Sequence, residues 1–277
     1  MIGQTKIISK INNLTLDNLS HTILLEGLKG SGRHSIVKLL SEKFNIEIVD
    51  LSDLKINDEL INELSIISIP KIYLIDIQQL TIKDQNVLLK FLEEPNSYCY
   101  NILLCENSSQ LLPTILNRCQ LYKLEPYTKE ELKLFYDEYT QFQEFKYEND
   151  KIFDIAATPG DLVELILNTD LEKTLSLIDN ILSNIANANF ANVLVLVDKI
   201  REFNPDKGLT NFEMFLKIFM FCIHKYIIEN NLFDCIKLYD AYNLVRELYQ
   251  DYKKSSLHLN NKYLYEHFLL NFKLLMK

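Results

Sequence analysis

Glycine and proline are scarce in this chain, six of each in 277 residues. Each one therefore says something about where the backbone must turn or stop. The five cysteines (Cys99, Cys105, Cys119, Cys222 and Cys235) contain no Cys-x-x-Cys pair. That argues against a zinc ribbon or a disulfide framework and for reduced thiols in an intracellular protein. No apolar run approaches the ~20 residues a membrane helix needs. Met1–Lys10 has neither a long apolar core nor a small-residue cleavage site, so no signal peptide is expected. Basic residues are outnumbered, 29 Lys and Arg against 38 Asp and Glu, for a net charge of −9. Such a chain repels phosphate backbones on average, so a nucleic-acid contact is expected only locally, inside a larger assembly. His34, His224, His258 and His267 are scattered without matching carboxylates, and no Gly-x-Ser-x-Gly elbow exists. A metal centre and a serine hydrolase are not expected. What remains is ordinary globular material, 48% hydrophobic and 24% charged, of a length that suits two or three domains.

Two textures divide the sequence. Up to about residue 125, short apolar runs alternate with helical patterns. The runs are Thr22–Glu26, Ile46–Val49, Lys71–Ile75, Asn101–Cys105 and Gln120–Leu124. They read as strands buried on both faces of a parallel sheet. Ser35–Phe44, Asp58–Leu64 and Lys83–Glu93 read as the intervening helices. Beyond residue 126 the periodicity is helical throughout. Thr128-Lys-Glu-Glu131 is a capping box opening a helix to about Thr140. Two short helices, 150–157 and 160–168, are expected to break at Pro159-Gly160. Five longer amphipathic segments follow: Glu172–Ala188, Asn189–Phe203, Thr210–Asn230, Leu232–Asp251 and Leu257–Met276. Asn204–Gly208 is a helix-to-helix loop. Phe212, Phe215 and Phe219 fall at helical spacing, which favours core or subunit interface over a base-stacking platform. The expected organisation is an α/β parallel-sheet domain (1–125), a small helical lid (126–170) and an all-α C-terminal bundle (171–277).

The most informative segment is Glu26-Gly27-Leu-Lys-Gly30-Ser-Gly32-Arg33-His34-Ser35. It lies between a strand and a helix, where a phosphate-binding loop belongs, and Gly27, Gly30 and Gly32 keep the glycine frame. The chemistry then departs. Arg33 stands where a lysine should reach the β- and γ-phosphates, and the two are not interchangeable at a tight site. His34 replaces the hydroxyl that would hold Mg²⁺, and Ser35 lies one residue late, about 100° round the helix. The backbone amides and the helix N-terminus still attract anions. Asp76 ends the third strand and is followed by Ile77, so the pair of acids that a P-loop ATPase uses is reduced to one. A loop that keeps its shape and has lost hydrolysis is the favoured reading. A plainer role for Asp76 is to end the strand and cap the next turn.

Three segments carry a resemblance: Asn86–Pro95 (NVLLKFLEEP), Asn101–Cys105 and Leu112–Cys119 (LPTILNRC), joined by Ser20-His21 and Ile2-Gly3-Gln4. Together they resemble the clamp-loader branch of the AAA+ ATPases, over residues 1 to about 165. Within it the chain is most similar to the delta-prime type of bacterial DNA polymerase III subunit. The resemblance implies an arginine finger. Where the family has Ser-Arg-Cys, this chain has Asn117-Arg118-Cys119, so Arg118 would reach the ATP of a neighbouring subunit. It also implies a γ-phosphate sensor at Glu106 or Asn107, where a carboxylate would repel phosphate, and a second sensing arginine where Leu162 and Val163 stand. The zinc-binding insertion frequent in that branch has no cysteines to form it in residues 45–65. The expectation is an ATPase-inactive subunit with a degenerate nucleotide site (Gly27, Gly30, Gly32, Arg33, Asp76) and no tightly bound cofactor. It would contact ATP in trans through Arg118. Its implied partners are the motor subunits and the delta subunit, with the sliding clamp and primed DNA met through the complex, in the cytoplasm and away from membranes. The alternative is an active AAA+ ATPase using Arg33 and Ser35 as unusual phosphate ligands. A third possibility is a plain scaffold.

Overall fold

The structure, a computed structural model, describes residues 2–52, 54–66, 68–139, 150–184, 192, 195, 212–229, 236–254 and 261–276. Several sequence expectations lie outside the described residues: the Asn189–Phe203 helix almost entirely, the Asn204–Gly208 loop, Cys235 and His258. The chain forms two compact units. One comprises Met1–Phe135 with Thr158–Gly160, the other Tyr136–Ala157 with Asp161–Lys277.

The first unit is built on five parallel strands: β1 (Thr22–Glu26), β2 (Glu47–Asp50), β3 (Lys71–Asp76), β4 (Cys99–Cys105) and β5 (Gln120–Lys123). Their order is β2-β3-β4-β1-β5. Alternate side chains separate two apolar layers, because successive strand residues point to opposite faces. Leu24, Tyr73, Ile75, Leu103 and Cys105 face one layer, built with α3 (Asp58–Ser65), α4 (Ile82–Glu93) and α5 (Pro113–Leu116). Ile23, Leu25, Ile72, Leu74, Ile102 and Leu104 face the other, built with α1 (Thr5–Asn12) and α2 (Arg33–Phe44). The three central strands are buried along nearly their whole length, as expected from their uniform apolarity. The outer two differ from expectation: β2 and β5 are largely open to solvent. They are the sheet's edges, and Glu47, Asp50, Gln120 and Lys123 are the polar side chains that tolerate that position.

Local signals explain the helix boundaries. Asn57 caps α3 by accepting from the Leu60 amide at 2.8 Å. Thr81 and Asp84 form a capping box at α4, and Thr128 and Glu131 form the expected one at α6 (Lys129–Glu138). Gln4 closes the unit. Its amide donates to the Glu125 carbonyl at 2.7 Å and accepts from the Glu125 amide at 2.8 Å, tying the start of α1 to the strand end beyond β5.

The second unit is helical among its described residues: α7 (Ile152–Ile155), α8 (Pro159–Leu167, its first two residues counted with the first unit), α9 (Leu171–Asn184), α10 (Phe212–Glu229), α11 (Ile236–Lys254) and α12 (Asn261–Met276). Pro159 does not sit in a gap between two helices. It opens α8, where a proline's missing N–H costs nothing. Phe212, Phe215 and Phe219 are core, as their spacing suggests. They meet Tyr265, Phe268 and Phe272 of α12, Phe219 and Phe268 edge-on at 4.9 Å. A buried charge pair holds the start of α8. The Lys217 ammonium lies 2.6 Å from Asp161 and under 4 Å from Glu213, and the Tyr249 ring covers it.

Candidate functional site

The glycine loop leaves the carboxyl end of β1, in the middle of the sheet, where a parallel α/β fold places its ligands. Gly30 and Gly32 adopt φ of 78° and 98°. Only glycine takes these values without strain. Gly30 has a second constraint: a Cβ there would stand 2.7 Å from the Gly160 Cα. Thr158–Gly160, which belong to the same unit, lie directly on the loop. Thr158 Oγ1 donates to the Lys29 carbonyl at 3.1 Å, and the Gly160 amide donates to the Gly30 carbonyl at 3.1 Å. Tyr127 donates to the Ser31 carbonyl at 2.9 Å, and the Ile36 amide to the Gly32 carbonyl at 3.0 Å. Four successive loop carbonyls are thus tied back. The first-turn amides of α2 keep no side-chain cap, so their donors and the helix dipole face whatever anion approaches.

Arg33 is the first residue of α2 and is only 8% exposed. Its Nη1 has no hydrogen-bond partner, nor has the buried Ser31 Oγ. The neighbouring Cys105 thiol maps the surrounding charge. Burial chiefly pushes it up to about 12, the carboxylates of Glu26 and Asp76 add to that, and the Arg33 guanidinium works against it. All three charges are therefore felt at Cys105, the last residue of β4. Glu26 also pairs with Lys123 at 3.1 Å. Asp76 caps the next turn, accepting from the Gln78 amide at 3.3 Å. Ile77 is fully buried, and His34 and Ser35 are exposed. The residues present suit a phosphate group. They do not suit Mg²⁺: the hydroxyl position is an outward His34, and the second acid is a core isoleucine. No group of three potential ligands is placed to hold a metal ion among the described residues.

The expected sensing positions are otherwise engaged. Glu106 donates its amide to Gln78 Oε1 at 2.6 Å. Asn107 Oδ1 accepts from the Ser109 amide and hydroxyl at 3.0 and 2.8 Å. Leu162, within α8, is fully buried.

Arg118 follows α5. Its backbone amide donates to the Ile115 carbonyl at 2.9 Å, and Ile115 is fully buried. The guanidinium donates through Nη1 to the Thr114 carbonyl at 2.6 Å and through Nη2 to Glu93 Oε1 at 2.5 Å. The side chain is one-third exposed, so the group is held at the surface rather than turned into its own core. Cys119 anchors the segment from below, and burial pushes its thiol up to about 12. Glu93 was not singled out from the sequence, although it lies inside the NVLLKFLEEP segment. Thr158 and Tyr127 carry no local signal at all.

A family profile described as "DNA polymerase III, delta subunit" matches residues 41–128. The delta' subunit of DNA polymerase III from Bacillus subtilis is 30% identical over 148 residues, covering 42% of this chain and 45% of that protein. The gamma subunit from Buchnera aphidicola of Acyrthosiphon pisum is 28% identical over 169 residues, 49% of this chain and 47% of that one. The chain thus spans about half the length, or less, of the curated relatives it matches. In three dimensions it is similar to RuvB of Thermotoga maritima, with a TM-score of 0.51 and 20% identity over 83% of this chain and 77% of that one. The parallel sheet, with a glycine loop after its interior strand β1, shares the fold of that protein. Residues 41–128 are thus similar to that DNA polymerase III family, and the chain resembles delta' and gamma subunits over part of its length.

Proposed function

We propose that this chain is an ATPase-inactive, delta-prime-like subunit of a DNA polymerase III clamp loader that donates Arg118 to the ATP site of a neighbouring motor subunit. Its role would be in DNA replication, helping a ring of motor and delta subunits place the sliding clamp on primed DNA in the cytoplasm. DNA and clamp would be met through the complex, as the −9 net charge suggests. The helical second unit would join a collar. The observation that carries the reading is a contrast between two arginines. Arg33 is buried within the chain's own degenerate site, while Arg118 is held at the surface by two hydrogen bonds. A guanidinium presented to a γ-phosphate neutralises charge that develops as the phosphoryl group transfers.

The test is to assemble the chain with its motor subunits and replace Arg118 by Ala. Clamp-stimulated ATP hydrolysis should fall sharply, and unchanged hydrolysis would refute the finger. ATP turnover by the isolated chain would instead favour an active motor using Arg33 and Ser35. The exposure of Ser35 argues against that reading.

A further inference from the structure

We propose that Glu93 is a positioning residue for the arginine finger. Its carboxylate holds the Arg118 guanidinium aimed outward and stays bound while the other edge of that group meets phosphate. The inference rests on the finger reading of Arg118.

The two residues lie 25 apart in sequence yet stand on one foundation. Glu93 is the last residue of α4, whose Leu88, Phe91 and Leu92 are buried in the same apolar cluster as Ile115 of α5. Leu112, Leu116 and Cys119 pack against that cluster from the finger's side. Pro95 stops the helix, because the residue before a proline is pushed out of the helical region. Glu94 duly takes φ −126° and ψ 64°. The helix therefore ends on Glu93, the residue directly after the buried Leu92. The segments NVLLKFLEEP and LPTILNRC, specific only in combination, meet physically in the Glu93–Arg118 bond.

The donor inventory allows both partners at once. A guanidinium has five N–H groups. One on Nη1 goes to the Thr114 carbonyl and one on Nη2 goes to Glu93. Three remain, and a phosphate needs two for a forked contact. Two fixed bonds on a long flexible side chain remove most of its rotamer freedom before any phosphate arrives, which is how a positioned group gains over a mobile one. A surface ion pair of this kind adds little to folding. Its consequence is geometric.

The experiment uses the assembled complex with Glu93→Gln, Arg118→Ala and the double variant, measuring kcat and KM for ATP in the presence of clamp and primed DNA. Glu93→Gln should lower the Arg118-dependent part of kcat about tenfold with KM for ATP nearly unchanged. The double variant should equal Arg118→Ala alone. Complex assembly by gel filtration and the melting temperature of the free chain should match wild type, which separates positioning from folding. The inference is overturned if Glu93→Gln leaves kcat unchanged while Arg118→Ala abolishes it, if the two losses multiply in the double variant, or if kcat rises. If Arg118→Ala itself has no effect, the finger reading falls first and takes this inference with it.

Discussion

Single side chains set the sharpest limits on this protein. A Cβ on Gly160 would stand 2.5 Å from the Gly30 Cα, a clash with backbone that cannot swing aside. Gly160→Ala is therefore expected to cost about 2 kcal/mol of stability, read as a lowered urea midpoint with the slope unchanged. Three thiols, two buried and one half-buried, give a pH dependence. Burial pushes Cys105, Cys119 and Cys222 up to about 12 from an ordinary value near 9. In the unfolded chain these thiols ionise first, so the folded state binds more protons above pH 9. Their contribution is complete below pH 9 and is lost as pH rises towards 12. Urea unfolding at pH 8, 9.5 and 10.5 should show stability falling across the series. Replacement of all three by Ser or Ala should flatten that fall.

At the scale of elements, the loop-to-helix junction and the start of α8 deserve comparison. The loop is rigid because its carbonyls are bonded by Thr158, Gly160, Tyr127 and Ile36, none of which belongs to the glycine frame. The start of α8 depends on a buried ion pair. The Asp161 carboxylate accepts from the Ala157 amide at 3.0 Å and pairs with Lys217 at 2.6 Å, with side chains only 8% and 18% exposed. Lys217→Ala removes the ammonium that lies against this buried carboxylate and is expected to cost about 3 kcal/mol. Lys217→Ala combined with Asp161→Asn should recover part of it, and a double-mutant cycle in urea measures the coupling. The capping boxes at Thr81 and Thr128 follow local rules and need no tertiary partner. The exposure of β2 and β5 shows the opposite: an Ile-Val pair reads as buried wherever it occurs, and strand order alone makes it an edge.

For the whole molecule, the central prediction is a division of labour. The isolated chain should show no Mg²⁺-dependent ATP turnover, and any nucleotide affinity measured by calorimetry should be insensitive to replacing Mg²⁺ with EDTA. The reason is the missing ligand set: His34 points outward where a hydroxyl would hold the metal, and the buried Ile77 stands where a second acid would. Stronger binding with Mg²⁺ would overturn this.

The amino-acid order alone was enough to reveal the parallel α/β architecture and the glycine frame, and it pointed to Arg33, His34 and Arg118 as the positions to test. Those follow from periodicity, turn chemistry and side-chain type, which are properties of neighbours along the chain. Folding decided which strands became edges, which partners fixed the loop, and that Glu93 grips Arg118 from another helix. Such contacts join residues tens to more than a hundred positions apart. Their existence depends on how two apolar layers pack across a sheet, and no local pattern encodes it.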